Sequence, residues 1–406
     1  MKTLKILCLF WLAPALCLGA AIDVIGGVDV RIGDDTNARS AIFDFDPDTG
    51  NFYAVVEWDD SWTFNISTDG GATWDRRYTH PCSQGYLGLD MAVSGAWVYV
   101  GYVCSISNLA SEAKMRRFAL DTGNLDGGYT SGGHEVVDTS PATIGDIAVE
   151  TNIDSEDDRV FYSLIQSDGM TRAFWDVPTD GTNFVEVTVN VSNAEDGLDM
   201  HWNPGYDTYS LFLSLVDQSG DIQVWRYDGA WSLATSFAYT GTQPQSSISA
   251  FGDQVVVAYL EPAGNGQGVQ YRQSTDGGIT WGPGTFIAEP IVGQGDFLDV
   301  EITARGGAGL AVVYNLEAGA EDWSLFQSKT DYGPGSWKPA GSFNDFDSFT
   351  GLPIALNWTP TDLYGVIHVG GTDAIPYFDL VESVSIFFDG FESGDTSAWS
   401  VTAPPP

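Results

Sequence analysis

Short apolar or alternating runs along the chain are separated by clusters of Gly, Asp, Asn, Ser and Pro, the pattern of strands punctuated by turns. One kind of run recurs seven times: SAIFDF (40–45), LGLDMAV (87–93), IGDIAVE (144–150), GLDMHW (197–202), SSISAF (246–251), FLDVEIT (297–303) and LPIALNW (352–358). A second run follows each across a polar turn: NFYAVV (51–56), WVYVGYV (97–103), RVFYSLI (159–165), YSLFLSL (209–215), QVVVAYL (254–260), LAVVYNL (310–316) and LYGVIHV (363–369). Third runs then appear, among them KMRRFAL (114–120), TRAFWDV (171–177), IQVWRYD (222–228) and WSLFQSK (323–329). No segment reads as a convincing helix.

These runs set a period of about fifty residues. Asp90, Asp146, Asp199 and Asp299 sit at one place in their first strands, and Ser249 and Ala355 occupy the matching positions. A single four-stranded unit cannot bury both its faces, whereas units stacked around an axis can, and a closed ring leaves no long exposed edge. The repeat therefore predicts an all-β chain folded as a β-propeller. Seven strand pairs favour seven blades; six blades with a disrupted seventh, or a two-domain sandwich, are the alternatives. The last unit lacks an obvious outer strand, and IDVIGGVDVRI (22–32) precedes the first full unit. The expectation is that this N-terminal strand closes the ring beside IPYFDLVESV (375–384).

The chain opens with Lys2 and Lys5, an apolar stretch from Ile6 to Leu18, and the small residues Gly19, Ala20 and Ala21. That is the layout of a secretory signal peptide cleaved near Ala20. The expected organisation is a signal peptide over 1–20, a propeller over 21–384 and a separate tail over 385–406. No other apolar stretch is long enough to span a membrane. Removing residues 1–20 takes away two lysines and leaves a formal charge of −41. Such a charge argues against nucleic acid and anionic lipid as partners. Cys8 and Cys17 leave with the signal, so Cys82 and Cys104 remain as a disulfide candidate in an exported, extracellular or periplasmic chain. They flank the hairpin of LGLDMAV and WVYVGYV, and a bridge there would staple the first two strands of one unit.

One octapeptide occurs twice: STDGGATW (67–74) and STDGGITW (274–281). Ser67, Asp69, Gly71, Thr73 and Trp74, and again Ser274, Asp276, Gly278, Thr280 and Trp281, satisfy S-x-D-x-G-x-T-W. This resembles the Asp box, or BNR repeat, of the sialidase-like β-propeller superfamily, in its secreted bacterial form. A degenerate copy lies in SKTDYGPGSW (328–337), with Asp331, Gly333 and Trp337. In that family the box is a structural turn between third and fourth strands, away from the catalytic pocket. The resemblance spans glycan-active enzymes and non-catalytic binding proteins. A sialidase of the family has three arginines clamping a sugar carboxylate, a tyrosine nucleophile paired with a glutamate, and an aspartate acid/base. Arg31 in VRIG lacks the proline of the family's motif. Arg39, Arg226, Arg272 and Arg305 are further candidates without a local signature, and Tyr364 and Tyr377 fall late enough to be considered as the nucleophile.

Other candidate chemistry is sparse. Asp90, Asp146, Asp199 and Asp299 on first strands would face a central channel, where they either hold a hard cation or accept backbone amides that lock neighbouring blades. FDFDPDTGN (43–51) places Asp44, Asp46, Asp48 and Gly50 like half a calcium loop, but Val55 stands where an EF-hand has glutamate, so a hairpin turn is the better reading. His80, His134, His201 and His368 show no paired zinc spacing. No cofactor is expected beyond calcium as the one candidate. The segment IFFDGFESGDTSAW near the end resembles a short terminal signature of exported bacterial proteins. The expected function is extracellular recognition of a glycan or protein by a non-catalytic monomer. An exo-sialidase-type hydrolase and a structural scaffold or assembly factor are the alternatives.

Overall fold

A computed structural model describes residues 23–24, 29–82, 86–107, 110–130, 144–151, 160–166, 171–176, 185–189, 194–203, 210–240, 245–263, 266–289, 297–305, 309–318, 321–329, 337–338, 340–342, 355–358, 363–370 and 373–382. The expected signal peptide and tail lie outside the described residues.

The described strands form seven separate sheets. The first holds Ala38–Phe45, Phe52–Trp58, Ser61–Ser67 and Asp75–Pro81, each antiparallel to the next. The second has three described strands, Tyr86–Val93, Trp97–Ser107 and Ala110–Ala119. The third, fourth and fifth repeat the four-stranded order from the inner strands Ile144–Thr151, Ala194–Trp202 and Ser246–Phe251. The sixth and seventh begin at Phe297–Arg305 and Ala355–Trp358. Successive inner strands touch in chain order, and the seventh returns to the first. This is the all-β propeller that the fifty-residue period predicts. A single helical turn, Gly127–Thr130, is the departure from an all-strand reading.

The second strands are the most deeply buried, because each is covered by sheets on both sides. Leu211–Asp217 is buried at every position. Aromatic residues fill the seams. Phe43, Phe52 and Phe378 meet at centroid distances of 5.2–5.5 Å between the first and seventh sheets. Phe64 stacks on Phe118 at 4.2 Å between the first and second. Each fully buried side chain of this size contributes roughly 1.5–3 kcal/mol, which holds together sheets that share no backbone ladder.

The N-terminal segment closes the ring, and it does so in two pieces. Val30 and Arg31 pair antiparallel with Phe378 and Tyr377, giving the seventh sheet its fourth strand. Asp23 and Val24 pair in parallel with Gly341 and Ser342, adding a fifth strand to the sixth sheet. The expectation of one continuous strand beside 375–384 is thus right for its second half, while its first half crosses to the neighbouring sheet.

Cys82 and Cys104 form a disulfide, but between units. The outer strand of the first sheet runs on to Pro81, and the Cys82 amide donates to the Asp60 carbonyl at 2.7 Å. Cys82 therefore ends the first unit, while Cys104 lies in the second strand of the second sheet opposite Tyr86. The bridge staples a seam, not a hairpin.

Candidate functional site

Antiparallel order gives the ring two different rims. Turns from first to second strand and from third to fourth lie on one rim; inner strands begin on the other. Both S-x-D-x-G-x-T-W octapeptides form third-to-fourth-strand turns and share one hydrogen-bond network. Ser67 Oγ donates to Asp69 at 2.8 Å and accepts the Gly71 amide at 2.8 Å. Asp69 accepts the Thr73 amide at 2.9 Å and its hydroxyl at 2.6 Å. Ser274, Asp276, Gly278 and Thr280 repeat these contacts at 2.6–2.9 Å. The donors hold Asp276 down at about 2 and lower Asp69 as well. Gly71 and Gly278 have positive φ (90° and 82°), and each lies against an aromatic ring of the preceding sheet, Phe378 and Phe212. The turn thus fastens one sheet to the next. Asp331 and Gly333 of the degenerate copy lie outside the described residues, while its Trp337 packs edge-on against Tyr271.

The axis is a polar channel whose two halves share Asp90, Asp199 and Glu301. The half at the rim where inner strands begin has a cavity volume of about 460 Å³ and is lined by Arg39, Glu57, Gln245, Ser246 and Asp299. Arg39 Nε donates to Asp59 at 2.7 Å. Burial pushes Glu57 up to about 7 against the pull of the Arg39 charge. The opposite half contains Asp44, Glu150, His201 and Ser249.

Carboxylates on inner strands bridge neighbouring sheets. Each accepts the amide of the residue after it and an amide of the next inner strand. Asp44 accepts from Phe45 (2.8 Å) and Val93 (2.9 Å), Asp90 from Met91 (2.8 Å) and Val149 (2.5 Å). Glu150 accepts from Thr151 (2.7 Å) and Trp202 (3.0 Å), Asp199 from Met200 (2.7 Å) and Ile248 (2.6 Å). Ser247 and Ser249 continue the lacing by accepting from Ile302 and Ala304 at 3.1 and 2.9 Å. Asn357 of the seventh sheet donates to Asp44 at 2.9 Å. Asp299 accepts from Val300. Asp146 lies on its inner strand, with its side chain outside the described residues. Burial raises Asp199 to about 6, Asp44 to about 7 and Glu150 to about 8, and puts Asp90 and Glu301 well above the ordinary carboxylate range.

Sequence reasoning missed Glu150 and Glu301, weighed His201 only as a zinc ligand, and treated Asp44 as part of a turn. Asp46 is the turn residue: it accepts the Asp48 and Thr49 amides at 3.1 and 3.0 Å and the Thr49 hydroxyl at 2.5 Å. Among the described residues no group of three or more His, Cys, Asp or Glu is arranged to hold a metal ion. His201 lies 3.8 Å from Glu150 and 3.4 Å from Ser249 Oγ, a chain across three sheets. Burial lowers His201 to about 4 while raising Glu150, so both are neutral near pH 7. Ser249 is 1% exposed and its oxygen already accepts the Ala304 amide. That geometry ties neighbouring inner strands together.

The candidate arginines are dispersed over several sheets. Arg31 is on the closing strand and donates to the Asp35 carbonyl. Arg226, in a third strand, donates to the Gly277 carbonyl of the neighbouring octapeptide turn at 3.2 Å. Arg272 lies over the Phe237 ring at 4.4 Å. Arg305 ends the sixth inner strand, with its side chain outside the described residues. Of these five, Arg39 alone lines the channel among the described residues. Tyr364 is buried in the seam with Phe326, and Tyr377 stacks on His368.

No protein-family model matches the chain, and no curated protein matches it. Solved structures do. A complex of YCF48 with a D1 peptide aligns over 90% of this chain and 99% of its own, at 14% identity and a TM-score of 0.52. A triple-arginine mutant of AofleA from Arthrobotrys oligospora aligns over 78% and 89%, at 11% identity and a TM-score of 0.50. The intramolecular trans-sialidase from Ruminococcus gnavus aligns over 89% and 98%, at 12% identity and a TM-score of 0.49. At these identities the likeness is one of fold.

Proposed function

We propose that the chain is an exported, non-catalytic recognition module of the Asp-box propeller type, holding an extracellular glycan or protein at the rim where its inner strands begin. The observation that carries this reading is the mouth itself. It is a concave polar cavity lined by Arg39, Glu57 and Gln245, the kind of site that orients a ligand by a few placed polar groups, and it lies on the rim opposite the Asp-box turns. A sialidase-type mechanism draws its power from an arginine cluster clamping a carboxylate. Of the candidate arginines, Arg31, Arg226 and Arg272 are committed to separate seams and turns, which leaves Arg39 without them in the mouth. The disulfide suits an oxidising compartment. No helix among the described residues is long and apolar enough to cross a membrane.

The test is a glycan-array and protein-binding screen run beside fluorogenic sialoside assays. Binding without turnover is expected, weakened at least tenfold in Arg39→Ala, a loss of about 1.4 kcal/mol. Sustained sialoside cleavage would overturn the non-catalytic reading, and binding indifferent to Arg39→Ala would move the site elsewhere.

A further inference from the structure

The seven sheets share no backbone ladder at the axis, so the inner strands need another means of attachment. Four seams in succession are laced by Asp44, Asp90, Glu150 and Asp199, each joining its own strand to an amide of the next. These lacing groups share one narrow channel with further acids. Glu301 feels Asp199, Asp299 and Asp90; Asp90 feels Asp199 and Glu150; Glu150 feels Asp44 and Asp199. The facing neighbours add little positive charge. His201 is neutral, the fifth and seventh sheets contribute Ser247, Ser249 and Asn357, and Glu57 and Arg39 stand at the mouth with Arg39 held by Asp59.

We propose that the axial carboxylates are a proton-operated fastener: protonated, they lace the inner strands without mutual repulsion, and their ionisation loosens the seams and the channel wall. A protonated carboxyl still accepts two amides, one on each oxygen, so uptake of protons removes charge without removing the laces. Ionisation strengthens each individual bond but crowds several like charges into one channel that few basic side chains face.

The sign follows from linkage. Each acid binds its proton more tightly folded than unfolded. Between about pH 4, where unfolded carboxyls titrate, and about pH 8, where Glu150 does, these acids hold more protons folded than unfolded, opposed up to about pH 6.5 by His80, His201 and His368, whose burial favours the neutral ring. The axial contribution to stability therefore falls as pH rises through that window.

Glu301→Gln is the informative variant, because it removes a charge from the ring without removing a lace between the four seams. Thermal melts from pH 5 to 9 are run in 1 M NaCl, where surface charges are screened within about 3 Å. The parent is expected to lose roughly 5 °C or more in Tm across the range. Glu301→Gln should match it at pH 5, exceed it at pH 8.5 and show a shallower slope, whereas the exposed control Asp121→Asn keeps the parent slope. Hydrogen exchange, corrected for intrinsic base catalysis, should show the amides of Val93, Val149, Trp202 and Ile248 losing protection at high pH ahead of the second-strand amides. Should Glu301→Gln fail to fold, Asp299→Asn replaces it, since that substitution removes a charge facing Glu301 while the asparagine side-chain carbonyl can still accept the Val300 amide. Parallel pH curves for parent and variant, or uniform protection at the four lacing amides, overturn the proposal.

Discussion

The two octapeptide turns show how one residue type can carry two separate demands. In the first turn both Gly70 and Gly71 have positive φ, 72° and 90°. A Cβ at Gly70 would meet nothing within 4 Å, whereas one at Gly71 would enter the Phe378 ring. Gly70→Ala should therefore cost about 1 kcal/mol, the strain of a left-handed residue. Gly71→Ala should cost about 3 kcal/mol or more, because overpacking at the seam adds to the strain. Gly278→Ala should behave like Gly71→Ala, its Cβ falling 2.8 Å from Phe212. Urea titrations of the three variants check the order, and equal losses at Gly70 and Gly71 would show that the aromatic contact contributes nothing. The octapeptide was legible as a turn through the family it resembles, and its Ser, Asp and Gly suit a tight turn. Its contact with Phe378 was not, because that ring comes from the other end of the chain.

At the scale of elements, inner strands were the most legible. Ser246–Phe251 coincides with its sequence run end to end, and the other runs fall inside their strands or overlap them. Alternation reports which side of a strand is buried but not what the side faces. Glu150 and His201 look like ordinary strand-end polar residues until three sheets converge on them. The cysteine pair was legible by elimination, while its place across a seam depended on how far the outer strand of the first sheet runs. With the cysteines 22 positions apart in sequence, loop entropy gives the bridge roughly 3 kcal/mol. Non-reducing peptide mapping should recover a peptide joining Cys82 to Cys104, and the Cys82→Ala, Cys104→Ala double variant should lower Tm while leaving the sheet content seen by circular dichroism unchanged. Removing residues 21–33 takes a strand from two sheets at once. That deletion is expected to abolish the folded monomer; a variant that sediments and melts like the parent would refute closure by this segment.

For the whole molecule, the two strands at the N-terminal end give the ring a schedule. Val30 and Arg31 have no partner strand until Ile375–Glu382 exists, and Asp44 waits across 313 positions for Asn357. Units in the middle of the chain are complete as soon as they are made, so sheets can form one after another while the circle stays open. Contacts between the two ends are the most non-local in the fold, and such contacts form late and slowly. The last kinetic phase of refolding should then be the joining of the seventh sheet to the first, reported by Trp74 as it comes to lie 5.3 Å from Phe378. A nascent chain carries an unfinished edge at each end throughout its synthesis, and those edges are strand templates for any neighbouring copy. Moving 23–33 by circular permutation to follow Glu382 would turn a rendezvous of distant ends into a hairpin-range pairing, leaving the finished ring the same and its order of assembly changed.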